Sequence, residues 1–177
     1  MTYSFILPSD LRAMIGNFFS NVSAPVRLLN NILQGEFIDA SIVVGRFVIN
    51  STVGVLGIGD PAADAFGLKK QSGDFGQTLG KWGVGEGVYM CWPILGPSNL
   101  RDTVGHSGDA VSHPIFYIHT EPLQTITYSV TERVNALSTG ASVYEDLKKI
   151  SIDPYVATRK AYTDFRRELV EERDGEK

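Results

Sequence analysis

The stretch from Asp74 to Asp102 constrains the fold of this chain more than any other. Glycines stand at positions 76, 80, 83, 85, 87 and 96 and prolines at 93 and 97, with large apolar side chains between them. Glycine opens backbone conformations that other residues avoid, whereas large aromatics demand burial or an apolar solvent. A solvated linker would be rich in Gly and Ser and free of tryptophan. The stretch is therefore expected to form a wall, with Trp82, Tyr89, Trp92, Ile94 and Leu95 as packed or membrane-facing side chains. Gly76, Gly80, Gly83, Gly85, Gly87 and Gly96 are expected to set its backbone path. The spacing is too irregular for a sheet. The run Gly83-Val84-Gly85-Glu86-Gly87 lacks the strand and helix that flank a dinucleotide fingerprint and the Gly-Lys-Ser/Thr of a Walker loop, so no nucleotide cofactor is expected.

Outside this stretch the pattern is helical. Leu11, Met14, Ile15, Phe18 and Phe19 make one apolar stripe behind a Ser9 or Asp10 cap, predicting a helix to about Ser20. Ser23-Ala24-Pro25 starts a second, which Gly35 ends. Phe37 to Ile58 is the most apolar run, interrupted by Asp39, Arg46 and Asn50. An arginine in mid-membrane costs about 3 kcal/mol on insertion scales, so a protein-packed helix partly turned to lipid is expected rather than a bilayer-crossing one. A short turn near Ala63 to Phe66, a short helix capped by Asp74, and a helix from Asn99 to Gly105 capped by Ser98 follow. His106 to Ala110 reads as a polar break, after which the apolar arm through Ile118 suggests a hairpin. Leu123 to Leu137 is a core helix stopped at Thr139-Gly140, with a shorter turn from Ser142. Asp153-Pro154 starts the last helix, packed through Tyr155, Tyr162, Phe165 and Leu169. The fold class is mostly α, an irregular helical ring or wedge with a Gly/Pro/aromatic loop segment and a helical hairpin. One domain is expected over residues 1–165, with 166–177 as a solvated, charged helix end and tail.

Sixteen basic against 20 acidic residues give a net charge of −4, which supplies no footprint for nucleic acid. Cys91 has no second cysteine for a disulfide or a zinc pair and reads as a small buried apolar residue, its role left unassigned. His106, His113 and His119 match no common metal-ligand spacing, and no metal is expected. Arg101 and Asp102 border the apolar wall, where a charge needs a partner or water. They are candidates for a polar path, with a structural ion pair as the alternative.

Several motifs together resemble the MlaA (VacJ) family of outer-membrane lipoproteins. They are Asp74-Phe75-Gly76-Gln77-Thr78-Leu79-Gly80, Trp82-Gly83-Val84-Gly85-x-Gly87-x-Tyr89 and Pro93-x-Leu95-Gly96-Pro97-Ser98-x-x-Arg101-Asp102. Arg46-Phe47-x-Ile49-Asn50-Ser51-Thr52 and Asp60-Pro61-Ala62 upstream, and Asp153-Pro154-Tyr155-x-x-x-Arg159-x-x-Tyr162 downstream, agree with it. The resemblance implies a helical ring in the outer membrane that withdraws misplaced outer-leaflet phospholipid and passes it to a periplasmic carrier. It also implies association with a trimeric porin, on the periplasmic side. Family members begin with a signal peptide and a lipid-modified cysteine followed by an amphipathic segment. Met1 to Pro8 has no basic opening, long apolar run or cleavage site, so the chain is expected to start where that segment ends.

Three functions are weighed on these residues. A passive lipid-conducting protein accounts for Arg46, Asn50, Arg101 and Asp102 as lipid-path residues in an otherwise apolar setting. A periplasmic scaffolding or binding module docking on an outer-membrane protein would use the aromatic stretch alone. A lipid hydrolase would need a Gly-x-Ser-x-Gly, a His-Glu-x-x-His or a Cys-His constellation, and none stands in the sequence. The chain is therefore read as a non-enzyme without cofactor.

Overall fold

The structure is a computed structural model that describes residues 7–93, 96–118, 121–151 and 153–175, the side chains at 122, 139–150 and 172–175 excepted. Ile94, Leu95 and His119 lie outside the described residues. The chain is predominantly helical, as its periodicity predicts. Helix α1 spans Ser9–Val22, α2 Ala24–Leu33, α3 Phe37–Thr52 and the short α4 Pro61–Asp64. Helix α5 covers Phe75–Lys81, followed by strands β1 (Tyr89–Trp92) and β2 (Gly96–Asn99). Then come α6 (Leu100–Ser112), α7 (Pro114–Ile118), α8 (Pro122–Ile150) and α9 (Pro154–Gly175).

Packing closes these elements into a ring. Helix α8 packs along α1, α1 meets α2, α2 meets α5, α5 meets α9, and α9 returns to α8. Helix α6 lies across α5, and α3 covers α2 from outside. The α5–α6 approach is close because both helices present glycine. A Cβ added at Gly105 would sit 2.4 Å from the Gly76 nitrogen, and one at Gly76 would sit 2.5 Å from Asp102 Oδ1. No side chain fits at either position.

Polarity is distributed unusually across this ring. Buried side chains include Asn30, Asn31, Gln34, Arg46, Asn50, Gln77, Thr78, Asn99, Arg101, Asp102 and Arg166, against only a few apolar ones such as Phe19, Val26 and Val43. Conversely Phe37, Ile38, Val48, Val53, Val55, Leu56, Phe66, Trp82 and Val88 are exposed. A soluble domain buries its large apolar residues and exposes its charges. Such a spread of exposed apolar surface marks a face that meets lipid or another protein. Most of the buried polar groups find partners within the fold. Thr78 Oγ1 donates to Asn30 Oδ1 at 2.9 Å and accepts from Gln34 Nε2 at 2.9 Å. Among the described residues no helix is long and apolar enough to cross a membrane.

Several sequence expectations are corrected. The glycine-rich stretch does contain a small sheet: β1 and β2 pair antiparallel, with Tyr89 opposite Asn99 and Trp92 opposite Gly96. Gly96 has φ +82° at the start of β2, a conformation that lets the chain reverse and pair. Asn99, not Ser98, caps α6, accepting from the Asp102 nitrogen at 2.7 Å. Residues 106–110 are helical rather than a break, because Gly105 and Gly108 serve helix packing instead of ending the helix. Helix α8 runs past Thr139-Gly140 without a stop. Tyr155 and Phe165 of α9 face outward, whereas Arg166, assigned to the charged tail, is buried. Cys91 is exposed on β1.

Candidate functional site

Two polar constellations stand out within the fold. The first is a clasp around Asp102. Asn99 Nδ2 and the Tyr162 hydroxyl donate to its Oδ2 at 2.9 and 2.7 Å, while Arg101 Nε and Arg166 Nη2 donate to its Oδ1 at 3.1 and 2.9 Å. Arg166 also reaches Asp74, with Nη1 to Oδ2 at 2.6 Å and Nη2 to Oδ1 at 2.8 Å. Asp74 in turn caps α5 through the Gln77 nitrogen at 2.8 Å and holds the Gln77 side-chain amide at 2.8 Å. The guanidinium of α9 thus ties the start of α5 to the start of α6. Burial alone would raise both carboxyls, but the hydrogen bonds and charge of Arg166 prevail and leave Asp74 and Asp102 below the usual carboxylate range. Two cations and two anions leave the clasp neutral overall.

The second constellation lines a cavity of about 410 Å³ among α2, α6, α7 and α8. Helix α6 contributes His106 and Asp109, the corner after it His113, and α7 Ile115 and Phe116. Helix α8 contributes Thr125, Tyr128, Ser129, Glu132, Arg133 and Ala136, a spacing of three and four that keeps one face inward. Val26 and Arg27 of α2, with Ser23, Gly73 and Ala110, complete the lining. Asp109 accepts from Asn30 Nδ2 at 2.9 Å and from the Phe75 nitrogen at 3.0 Å. Burial, reinforced by the nearby charge of Asp74, nevertheless pushes its carboxyl up to about 6. Burial likewise raises Glu132 and Tyr128 and lowers His106 and His113. His113 Nδ1 accepts from the Ile115 nitrogen at 3.3 Å, which assigns the proton of the neutral ring to Nε2, 3.1 Å from Ser23 Oγ. The lining therefore combines aromatic and aliphatic surface with ionisable groups, an amphipathic chamber rather than a dry core. Among the described residues no three His, Cys, Asp or Glu side chains converge as a metal site.

With the ring and its cavity established, the comparisons with known proteins are specific. A family model described as MlaA lipoprotein matches residues 1–169. The chain belongs to the MlaA lipoprotein family. An uncharacterised protein of Rickettsia prowazekii (strain Madrid E) is 33% identical over 163 residues, covering 90% of this chain and 63% of that protein. The intermembrane phospholipid transport system lipoprotein MlaA of Escherichia coli (strain K12) is 30% identical over 160 residues, covering 88% of this chain and 62% of that protein. A solved chain described under "Structural basis for maintenance of bacterial outer membrane lipid asymmetry" superposes with a TM-score of 0.81 at 29% identity, covering 96% of this chain and 84% of that one. The chain thus spans less than two thirds of the length of the curated relatives it matches.

In this MlaA-family ring the four expected path residues fall into two groups. Arg101 and Asp102 come together in the clasp, and the cavity lining includes neither. Arg46 and Asn50 come together on Asp60, Arg46 Nη2 donating to Oδ2 at 2.7 Å and Asn50 Nδ2 to Oδ1 at 2.9 Å. Asn50 Oδ1 also accepts from the Ala62 nitrogen at 3.1 Å, so this pair anchors α4 to α3. Of the wall residues, Trp82 and Trp92 turn their rings outward while their N–H groups are tied back, to the Leu33 carbonyl at 3.3 Å and to Thr103 Oγ1 at 3.1 Å. Tyr89 instead packs edge-on against Tyr155 and Tyr162 of α9, with Arg159 over its ring. Gly76 and Gly80 are needed for close packing, and Gly83, Gly87 and Gly96 for positive φ. Gly85 has neither requirement.

The cavity residues Arg27, His106, Asp109, His113, Glu132 and Arg133 are missed by motif reading. Their signal was periodicity: 106, 109 and 113 share one helical face, provided the helix is carried through Gly105 and Gly108. The clasp partner Arg166 carries no local signal, since Asp102 and Asp74 lie 64 and 92 residues away in sequence.

Proposed function

We propose that the chain is a passive phospholipid-translocating component of an outer-membrane lipid-asymmetry system. It withdraws misplaced phospholipid from the outer leaflet and hands it, chemically unchanged, to a periplasmic carrier. The observation that carries this reading is the polarity of the ring, with large apolar side chains exposed outside and an amphipathic cavity of about 410 Å³, set with ionisable groups, inside. Acyl chains are the natural solvent for Phe37, Ile38, Val48, Leu56 and Trp82. The cavity suits a zwitterionic or anionic headgroup with its glycerol, met by Arg27, Arg133, the histidines and Tyr128. The E. coli relative named for phospholipid transport and the solved chain concerned with lipid asymmetry support the same reading.

Movement through such a ring needs no chemistry, only a path. Direction comes from the difference in lipid free energy between its two ends, so a downstream acceptor pulls the flow. A trimeric porin and a soluble lipid carrier are the proposed partners, and the periplasmic side of the outer membrane the proposed site. Arg46 and Asn50 border a smaller cavity beside the path, and Arg101 and Asp102 hold the wall that encloses it. The test is transfer of labelled phospholipid from donor vesicles carrying the protein to acceptor vesicles, followed by mass analysis. Intact lipid in the acceptor is expected. Lysophospholipid or free fatty acid that disappears on mutating one hydroxyl or thiol would replace transport with hydrolysis, and no transfer at all would favour a scaffold.

A further inference from the structure

Arg27 stands where two cavities meet. It lines the large chamber and also a much smaller one of about 30 Å³, bordered by Asn21, Arg46, Asn50, Asp60 and Lys70. The smaller space holds about one water molecule. A larger ligand therefore reaches the guanidinium from the chamber side. Arg27 Nη2 donates to the Ser20 carbonyl at 2.6 Å, while Nε is buried with no hydrogen-bond partner. A buried cationic N–H without an acceptor shows that the fold leaves the guanidinium incompletely paired, and an anion brought against the part of Arg27 that lines the chamber would compensate its charge with a strong, charge-assisted bond.

Neighbouring carboxylates supply only part of the counter-charge. Asp60, the acid of the smaller cavity, is engaged by Arg46 and Asn50. Glu132 of the chamber, raised by burial, offsets the charge of Arg27 only in part. Burial and the charge of Arg46 bring Arg27 down to about 10, offset only in part by Glu132. Burial and the charges of Arg27 and Arg46 lower Lys70 as well. Three cations thus face Asp60, already committed to Arg46 and Asn50, and Glu132, which acts on Arg27 and Lys70 without a direct contact to either among the bonds described.

We propose that Arg27 binds the phosphodiester of a phospholipid headgroup from the chamber side, with Lys70 adding positive charge from behind. The inference rests on the lipid-translocating reading and adds to it the group by which the lipid is held. A planar guanidinium recognises paired phosphate oxygens in a way that a lysine ammonium does not. Free phosphate offers the same oxygens, and an uncharged glyceride offers none.

The experiment measures binding to the full chain in detergent, using short-chain phosphatidylglycerol, short-chain phosphatidylcholine, diacylglycerol and inorganic phosphate. Wild type is compared with Arg27→Gln, Arg27→Lys and Lys70→Gln. Both phospholipids are expected to bind and diacylglycerol to fail. Arg27→Gln weakens phospholipid at least about tenfold, the scale of a lost hydrogen bond to a charged group, with Arg27→Lys in between and Lys70→Gln about threefold down. Equal affinity of wild type and Arg27→Gln, or equally tight diacylglycerol, overturns the proposal. If Arg27→Gln does not fold, unchanged affinity in both Arg27→Lys and Lys70→Gln overturns it instead. Arg27-dependent binding of inorganic phosphate without phospholipid binding assigns free phosphate and removes the lipid assignment. Wild-type lipid transfer by Arg27→Gln leaves transport standing and sinks only the role of Arg27.

Discussion

Asp102 is 2% exposed and meets two guanidiniums, a phenol and an amide, so removing its charge strands cations rather than merely deleting a contact. Breaking a buried pair from one side costs about 3 to 5 kcal/mol, while removing both partners costs less than the sum. Asp102→Asn and Arg166→Met are each expected to lower unfolding free energy by about 3 kcal/mol, with the double variant clearly less than additive, as denaturant titration will show. Additive losses would mean that the two do not act as a unit. Transfer per folded molecule should fall less than stability does, since neither residue lines the chamber. Asp109 titrates in the opposite sense. Its folded value of about 6 lies above the ordinary aspartate value of 3.8, so its contribution is fully present below about pH 4 and is lost as pH rises through 6. Asp74 and Asp102, held low, contribute stability above the ordinary carboxylate range and lose it as pH falls through their depressed values. Subtracting the pH–stability curve of Asp109→Asn from that of wild type cancels the other groups. The difference should fall by about 2 kcal/mol between pH 4 and 6.5, and parallel curves would show that Asp109 ionises normally.

At the scale of elements, the loop after α3 holds Val55 at φ 52° and Leu56 at φ 59°, left-handed conformations that branched side chains avoid. Backbone bonds from the Leu56 nitrogen to the Ser51 carbonyl and from the Gly57 nitrogen to the Asn50 carbonyl enforce the path. Both side chains are about two-thirds exposed, at 66% and 64%, so packing does not explain their bulk. Strain retained for an exposed apolar tip fits a loop that enters lipid. Val55→Gly relieves about 1 to 2 kcal/mol of left-handed strain against a smaller entropy penalty. It is expected to keep or slightly raise the melting temperature while weakening vesicle binding in a flotation assay; a drop in melting temperature would show that Val55 is packed after all. Element starts were legible in sequence because they are local chemistry: Asp74 reaches the Gln77 nitrogen, and Asp153 Oδ1 accepts from the Tyr155 nitrogen at 2.9 Å. Element ends were not. Gly105, Gly108 and Gly140 read as breakers, yet Gly105 sits against Gly76, Gly108 against Phe75, and α8 runs through Gly140. Whether a glycine ends a helix or admits a neighbour depends on what crosses it, which a single sequence does not reveal.

Among the described residues many large hydrophobic side chains face outward while Arg46, Arg101, Asp102 and Arg166 are buried, and this arrangement decides which solvent the molecule needs. In water the exposed Phe37, Ile38, Val53, Leu56, Phe66 and Val88 favour self-association through the hydrophobic effect, which a lipid or detergent surface relieves. Trp82 and Trp92 report on that surface, because their rings are 57% and 42% exposed while their indole N–H groups stay bonded to the fold. Adding phospholipid vesicles should therefore shift tryptophan emission to the blue and convert aggregates to a membrane-bound form, without a change in helical circular dichroism. Trp82→Phe and Trp92→Phe separate the two reporters: if the ring sits in lipid through this wall, each contributes to the shift. A monodisperse monomer in plain buffer with no spectral response would mean that the apolar exterior is covered by a protein partner instead. The clasp adds a condition to the outcome. Arg166 ties α9 to both α5 and α6, and Tyr89 of the wall packs on α9. Arg166→Met should then loosen the wall and reduce the blue shift at Trp92 more than at Trp82, which is independently anchored to α2 through the Leu33 carbonyl.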